Sequence, residues 1–225
     1  MANQNAKKAA GYAAAELVQA DMTIGLGTGS TAAFFIERLG VRCNEGLKVR
    51  AIATSQSSFD LGLKVGISMI DIDELTTLDM TVDGADEIDV QKRMIKGGGG
   101  ALLREKIVAS MSREMVVIVD SSKLVQRLGK FPLSVEIIPF AHRAIAHNLQ
   151  ELGYKGTFRT VKNRYFVTDN HNYIYDIHFS DLCREPEIDN EKIRSVPGVV
   201  ETGFFFGLAG RIIVGFDDGH VEIRS

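Results

Sequence analysis

Met22-Thr-Ile-Gly-Leu-Gly-Thr-Gly-Ser-Thr-Ala32, running on to Leu39-Gly40, reads as a strand over 22–26, a glycine-rich turn and a helix over 30–39. Gly40 stands where a helix stop belongs. A strand that turns tightly into a helix leaves the first helical N–H groups without partners at the positive end of the helix dipole. A phosphate fits there. Gly27 and Gly29 allow close approach, while Thr28, Ser30 and Thr31 can add hydroxyl donors. The dinucleotide fingerprint fails, because Ser30 occupies the third glycine position and the next strand ends at Thr54-Ser55 without an acid. A P-loop fails for want of its lysine. The loop therefore points to a small phosphorylated compound rather than a nucleotide. The competing reading is a tight turn with Ser30 as N-cap.

Outward from this loop, the first 130 residues alternate strand and helix. Helices are predicted over 6–20, 55–63 and 101–112, and strands over 48–53, 67–72, 81–83 and 115–120. This order predicts an α/β, Rossmann-like, mostly parallel sheet with helices on both faces. From residue 132 the rhythm changes. Strands over 133–138, 157–161, 164–168, 173–177 and 199–206 surround helices over 140–152, ended by Gly153, and 189–195, stopped by Pro197-Gly198. That is a smaller α+β, ferredoxin-like unit built on a split β-α-β. A last hairpin, 211–216 and 220–224 around Asp217-Asp218-Gly219, is expected to return to the first sheet. The predicted domains are 1–131 plus 205–225, and 132–204.

At 225 residues with 24% charged and 45% hydrophobic residues, the composition is that of an ordinary globular protein. Net charge is −3, so no basic field awaits nucleic acid. The longest apolar run, 115–119, is far short of a membrane span. The opening Met1-Ala-Asn-Gln-Asn-Ala-Lys-Lys runs into an alanine-rich stretch broken by Glu16, which reads as a helix and not a signal peptide. Cys43 and Cys183 are far apart and form no CxxC, which fits a reducing cytoplasm.

Two further segments carry chemistry. Val82-Asp-Gly-Ala-Asp-Glu-Ile-Asp89 brings Asp83, Asp86, Glu87 and Asp89 to the end of a short strand, where α/β sheets bind ligands. The spacing is not that of an EF-hand, and His142 and His147 do not form an i,i+4 pair. A solvated acidic turn is the plain alternative, and a metal site the less favoured one. Ile95-Lys-Gly-Gly-Gly-Gly-Ala-Leu-Leu-Arg-Glu-Lys106 then delivers Lys96, four glycines and Glu105. Four consecutive glycines are costly to order, so backbone must come close to something. Glu105 lies early in a helix, where a carboxylate is favoured by the dipole alone. Beside Lys96 and the acidic turn it also reads as an acid–base group. The chain lacks the G-x-S-x-G elbow of a serine hydrolase.

These three segments resemble the A-type ribose-5-phosphate isomerase family. The likeness extends to Asp120-Ser-Ser-Lys123, Leu128-Gly-Lys-Phe-Pro132, Val135-Glu-Ile-Ile-Pro139, Val167-Thr-Asp-Asn170 and the Pro-Gly-Val-Val at 197–200. It is weakest over 154–165 and 204–211, stretches expected to touch no catalytic position. The resemblance implies metal-independent and cofactor-free interconversion of D-ribose 5-phosphate and D-ribulose 5-phosphate in the pentose phosphate pathway. It implies Glu105 as the base working through an enediolate, with a pKa raised above that of free Glu by enclosure beside Asp83 and Asp86. Lys96 would stabilise the enediolate oxygen. Asp83 and Asp86 would bind sugar hydroxyls and assist ring opening. Thr28, Gly29, Ser30, Thr31, Gly84, Ala85, Gly97, Gly98, Gly99 and Lys123 would contact substrate. Which lysine meets the phosphate stays open. A cytoplasmic homodimer is implied, with a dimer of dimers as the alternative. A sugar-phosphate-sensing module of similar architecture is the rival reading; it would not need Glu105, and no basic helix-turn-helix precedes residue 20.

Overall fold

The computed structural model describes residues 4–225, so Met1, Ala2 and Asn3 of the N-terminal reading lie outside the described residues. The chain forms two compact units. The first comprises the described residues up to Ala85, with Arg104–Leu124 and Leu208–Ser225; the second comprises Asp86–Leu103 and Val125–Gly207. Compared with the division at 131 and 205 expected from sequence, the acidic turn beyond Ala85 and the glycine run both belong to the second unit.

The first unit is a six-stranded sheet in the order Val221–Arg224, Ala209–Gly215, Met115–Asp120, Met80–Asp83, Thr23–Leu26, Arg50–Ala53. All neighbours are parallel except the edge strand Val221–Arg224, so the terminal hairpin does return to this sheet. Met115–Asp120 is buried at every position, as a central strand covered on both faces must be. Ile24, Leu26, Met80, Val82, Val116 and Ile118 join Ala10, Ala14, Phe35, Ile36 and Leu39 in one core, which seats the helices Gln4–Glu16 and Ser30–Asn44 on that face. The opposite face takes the helix Leu102–Met111, whose Val108 packs with Ile52 and Leu78.

Gly40 does not end its helix, which runs to Asn44. A Cβ there would lie 2.5 Å from the Val65 side chain, so this glycine permits a close helix crossing; the left-handed stop is Gly46, at φ 111°. The strand expected over 67–72 reduces to one bridge, Met69 beside Ala51. Asp71 then accepts from the Asp73 N–H at 3.0 Å and turns the chain into a short 3-10 helix, Ile72–Glu74.

The second unit holds a four-stranded antiparallel sheet, Val199–Thr202, Leu133–Ile137, Tyr173–Ile177, Gly156–Phe158, with helices His142–Glu151 and Pro186–Arg194. Counted in chain order the strands lie 4-1-3-2, the ferredoxin-like arrangement expected. Pro186 at the first helical turn starts the second helix three residues ahead of the predicted position. The strand expected over 199–206 breaks at Gly203: Phe204–Phe205 crosses to a separate small sheet with Met94–Ile95 and Glu87–Ile88. These two-residue strands carry no pattern long enough to read. The strands expected over 157–161 and 164–168 are likewise shorter, broken at Arg159 and ending at Tyr165.

Two motifs without an evident purpose in the sequence meet here. Glu136, fully buried in Leu133–Ile137, accepts from the Thr168 hydroxyl at 2.9 Å and from the Asn170 and Asn172 amides at 3.1 and 2.9 Å. A single carboxylate oxygen thus anchors the loop between two strands. Glu136→Ala is expected to destabilise the protein by about 3 kcal/mol, because it strands three donors around a cavity. Denaturant unfolding should register this loss, with Glu136→Gln, which retains an acceptor, losing less than half as much.

Candidate active site

In the first unit the chain passes from Thr23–Leu26 outward to Arg50–Ala53, then returns to Met80–Asp83 on the other side. The carboxyl ends of Thr23–Leu26 and Met80–Asp83 therefore flank a topological switch point, where an open α/β sheet forms its ligand crevice. Gly27 follows one strand and Gly84 the other. Asp83 joins them: its fully buried Oδ1 accepts from the Thr28 N–H at 3.0 Å and from the Gly84 N–H at 2.7 Å. A Cβ on Gly27 would sit 2.2 Å from that same oxygen, so only glycine lets the loop reach the carboxylate.

The helix beyond the loop has Gly29 as N-cap, at φ 112°, which offers no side-chain cap of its own. Ser30 is thus the first helical residue and not the cap. Its hydroxyl accepts from the Lys7 ammonium at 3.0 Å, which brings a cation from the preceding helix to this helix N-terminus. Gly29 and Ser30 are exposed and Thr31 is half-buried. The Thr28 hydroxyl turns inward, to Thr54 at 2.7 Å and Ser55 at 2.8 Å, while Ser58 donates to the Gly27 carbonyl at 2.7 Å. Thr28 thereby shapes the loop through its side chain. Lys7 was not singled out from sequence. Its place in a uniform alanine-rich helix gives no signal of what it faces.

Glu105 lies in the first turn of Leu102–Met111 and is 4% exposed. Val108, one turn on, lies against Gly25, where an added Cβ would be 2.7 Å from its Cγ1. The other end of the helix meets the start of the strand region at Leu78, whose N–H donates to the Met111 carbonyl at 2.9 Å. The helix therefore runs antiparallel to the strands. It sets Glu105 on the sheet-facing side, about 4.5 Å further toward the strands' carboxyl ends than Val108. Lys123 closes the 3-10 helix Ser121–Lys123 that follows Met115–Asp120, at the same sheet edge.

Asp86, Lys96 and the glycine run belong to the second unit. Asp86, which follows Ala85 directly, pairs its N–H with the Ile95 carbonyl at 2.9 Å and accepts from the Gly98 N–H at 2.8 Å. Lys96 is 2% exposed; its ammonium lies 5.4 Å from the Phe205 ring centroid, and its N–H donates to Gly203 at 2.8 Å. Gly98 and Gly99 are exposed while Gly97 is buried. The acidic turn divides by role. Glu87 accepts from the Gly129 and Phe131 N–H groups at 2.7 and 2.6 Å, and Asp89 holds Arg93 at 2.7 Å. Those two are structural. Among the described residues no group of three His, Cys, Asp or Glu side chains could hold a metal ion. The stretches 154–165 and 204–211 do touch expected site positions, contrary to the sequence reading: Arg159 donates to the Gly97 carbonyl at 2.8 Å, and Phe205 faces Lys96.

A parallel sheet with a lysine-flanked helix N-terminus and a buried carboxylate at its switch point is the architecture with which α/β enzymes bind small anionic ligands. The family ribose 5-phosphate isomerase A (phosphoriboisomerase A) matches residues 50–219. A ribose-5-phosphate isomerase A from Protochlamydia amoebophila is 52% identical over 219 residues, covering 97% of this chain and 94% of that protein. The solved ribose 5-phosphate isomerase A of Methanocaldococcus jannaschii superposes with a TM-score of 0.92 at 39% identity, over 100% of both chains. A D-ribose-5-phosphate isomerase solved in complex with phospho-erythronic acid superposes at 0.91 with 36% identity, over 97% of each chain. The chain belongs to the ribose 5-phosphate isomerase A family and is an isomerase.

Proposed function

We propose that this isomerase interconverts D-ribose 5-phosphate and D-ribulose 5-phosphate, with Glu105 as the proton carrier. Glu105 removes the C2 proton of the open-chain aldose, the electron pair moves onto the C1 carbonyl oxygen, and an enediolate forms. The same carboxyl returns the proton to C1, while a hydroxyl proton moves from O2 to O1. Lys96 stabilises the enediolate oxygen. Asp83 and Asp86 bind sugar hydroxyls and assist ring opening, and Gly84, Ala85, Gly97, Gly98, Gly99 and Lys123 line the sugar. The phosphate sits on Gly29, Ser30 and Thr31 with Lys7 as countercharge. No metal or cofactor takes part; the commitment of Glu87 and Asp89 to protein donors supports that part of the reading. The observation that carries the proposal is Glu105 itself, a carboxylate buried against the sheet at the carboxyl edge of its strands. A phosphorylated acid bound to a relative supports it, because its carboxylate resembles a planar enediolate. The reading includes a cytoplasmic homodimer serving the pentose phosphate pathway; among the described residues no helix is long and apolar enough to cross a membrane.

The purified protein is expected to convert ribose 5-phosphate to ribulose 5-phosphate at the same rate with and without EDTA. Turnover lost on chelation would assign a metal to the site. Tight sugar-phosphate binding without turnover would make the chain a sensor.

A further inference from the structure

Arg159 interrupts two short strands, Gly156–Phe158 and Thr160–Val161, and turns its guanidinium toward the glycine run. Every one of its five N–H donors is used. Nε and Nη2 grip Asp176 at 2.9 and 2.6 Å, Nη2 also reaches the Ser134 hydroxyl at 2.8 Å, and Nη1 donates to the carbonyls of Gly97 at 2.8 Å and Gly98 at 3.1 Å. Ser134 donates in turn to Asp176 at 3.0 Å. The face of the guanidinium lies 5.7 Å from the Phe166 ring centroid, and that ring fills the space a Cβ on Gly100 would need. The clamp is thus built from three directions around one short piece of backbone.

We propose that Arg159, fixed by Asp176, is a positioning residue of the isomerase, acting through the peptide planes of Gly97 and Gly98. A trans peptide holds its C=O and N–H on opposite sides. Pinning the Gly97 carbonyl to Arg159 therefore aims the Gly98 N–H the other way, where it meets the Asp86 carboxylate at 2.8 Å. Pinning the Gly98 carbonyl aims the Gly99 N–H likewise, away from the clamp. Four consecutive glycines have no side chains to resist peptide rotation, so this orientation has to be imposed from outside. Lysine could not substitute: one ammonium cannot span a bidentate carboxylate and two carbonyls together. The inference rests on the assignment of Asp86 and the glycine run to the sugar site.

Steady-state kinetics of Arg159→Ala, Arg159→Lys and Asp176→Asn, read beside thermal melting, test it. Arg159→Ala is expected to lower kcat about 10- to 100-fold, as sub-ångström misplacement of reacting groups does, with a smaller change in KM. Added guanidinium should restore part of that kcat without altering the melting midpoint, whereas an alkylammonium of similar size should not. Arg159→Lys should stay close to Arg159→Ala. Glu136→Ala, in the same sheet but outside the clamp, should melt earlier yet keep its kcat. Unchanged kcat and KM in Arg159→Ala would overturn the proposal, as would a loss that follows the melting midpoint and ignores guanidinium. If Arg159→Ala does not fold, Asp176→Asn decides, since it keeps the shape and removes the charge; wild-type kinetics there would overturn the proposal equally. A wild-type protein without ribose 5-phosphate turnover would instead bring down the functional assignment beneath it.

Discussion

Glu105→Gln is expected to lower kcat about 10³-fold while the fold and substrate binding persist. The carboxylate is 4% exposed, on a helix whose Val108 packs with Ile52 and Leu78 of the sheet region. Glutamine matches its size and hydrogen-bonding reach but cannot take up a carbon-bound proton at neutral pH. The loss should fall on kcat, with the dissociation constant for ribose 5-phosphate changed little, because the interaction removed exists only in the transition state. Glu105→Asp should be intermediate, at about 10²-fold, since withdrawing the carboxylate by one methylene leaves the base intact and misplaced. Isothermal titration of substrate beside initial rates separates these quantities. A Glu105→Gln protein turning over near the wild-type rate would remove Glu105 from the chemistry.

Lys96→Met is expected to cost about 10²- to 10³-fold in kcat, the range found when one oxyanion donor is deleted. Methionine retains most of the aliphatic stem in a site that is 2% exposed, and the backbone N–H to Gly203 at 2.8 Å does not depend on the side chain. The charge and the ammonium N–H donors are what is lost. Lys96→Arg should not recover activity, because a planar guanidinium is bulkier than an ammonium and directs its donors differently. Rates within threefold of wild type for Lys96→Met would assign stabilisation of the enediolate to another donor.

What could be read from the chain depended on how far each physical cause extends. Met115–Asp120 falls where its apolar content puts it, because a strand buried along its length writes its own pattern, and Tyr173–Ile177, half-buried at Tyr173 and Asp176, also lies where the sequence put it. The glycine loop was legible because strand, turn and helix are contiguous. The glycine stop after residue 40 was not, because Gly40 serves a contact with Val65 and the true stop is Gly46. Within the acidic turn, four carboxylates of one kind separate only through their partners. Glu87 meets the N–H groups of Gly129 and Phe131, whereas Asp83 holds the backbone of Thr28. Lys7 reaches Ser30 across 23 residues and Arg159 reaches Gly97 across 62, separations over which no local pattern carries information.

The sequence by itself determined the class of fold, the family and the principal acid–base candidates, because propensity, burial period and contiguous motifs are set by neighbours a few residues away. Tertiary structure alone decided which carboxylates are structural, that the Thr28 hydroxyl points inward, and that Arg159 grips the glycine run. Each of these depends on which donor and acceptor the folded backbone brings within about 3 Å, and a hydrogen bond discriminates only at that distance.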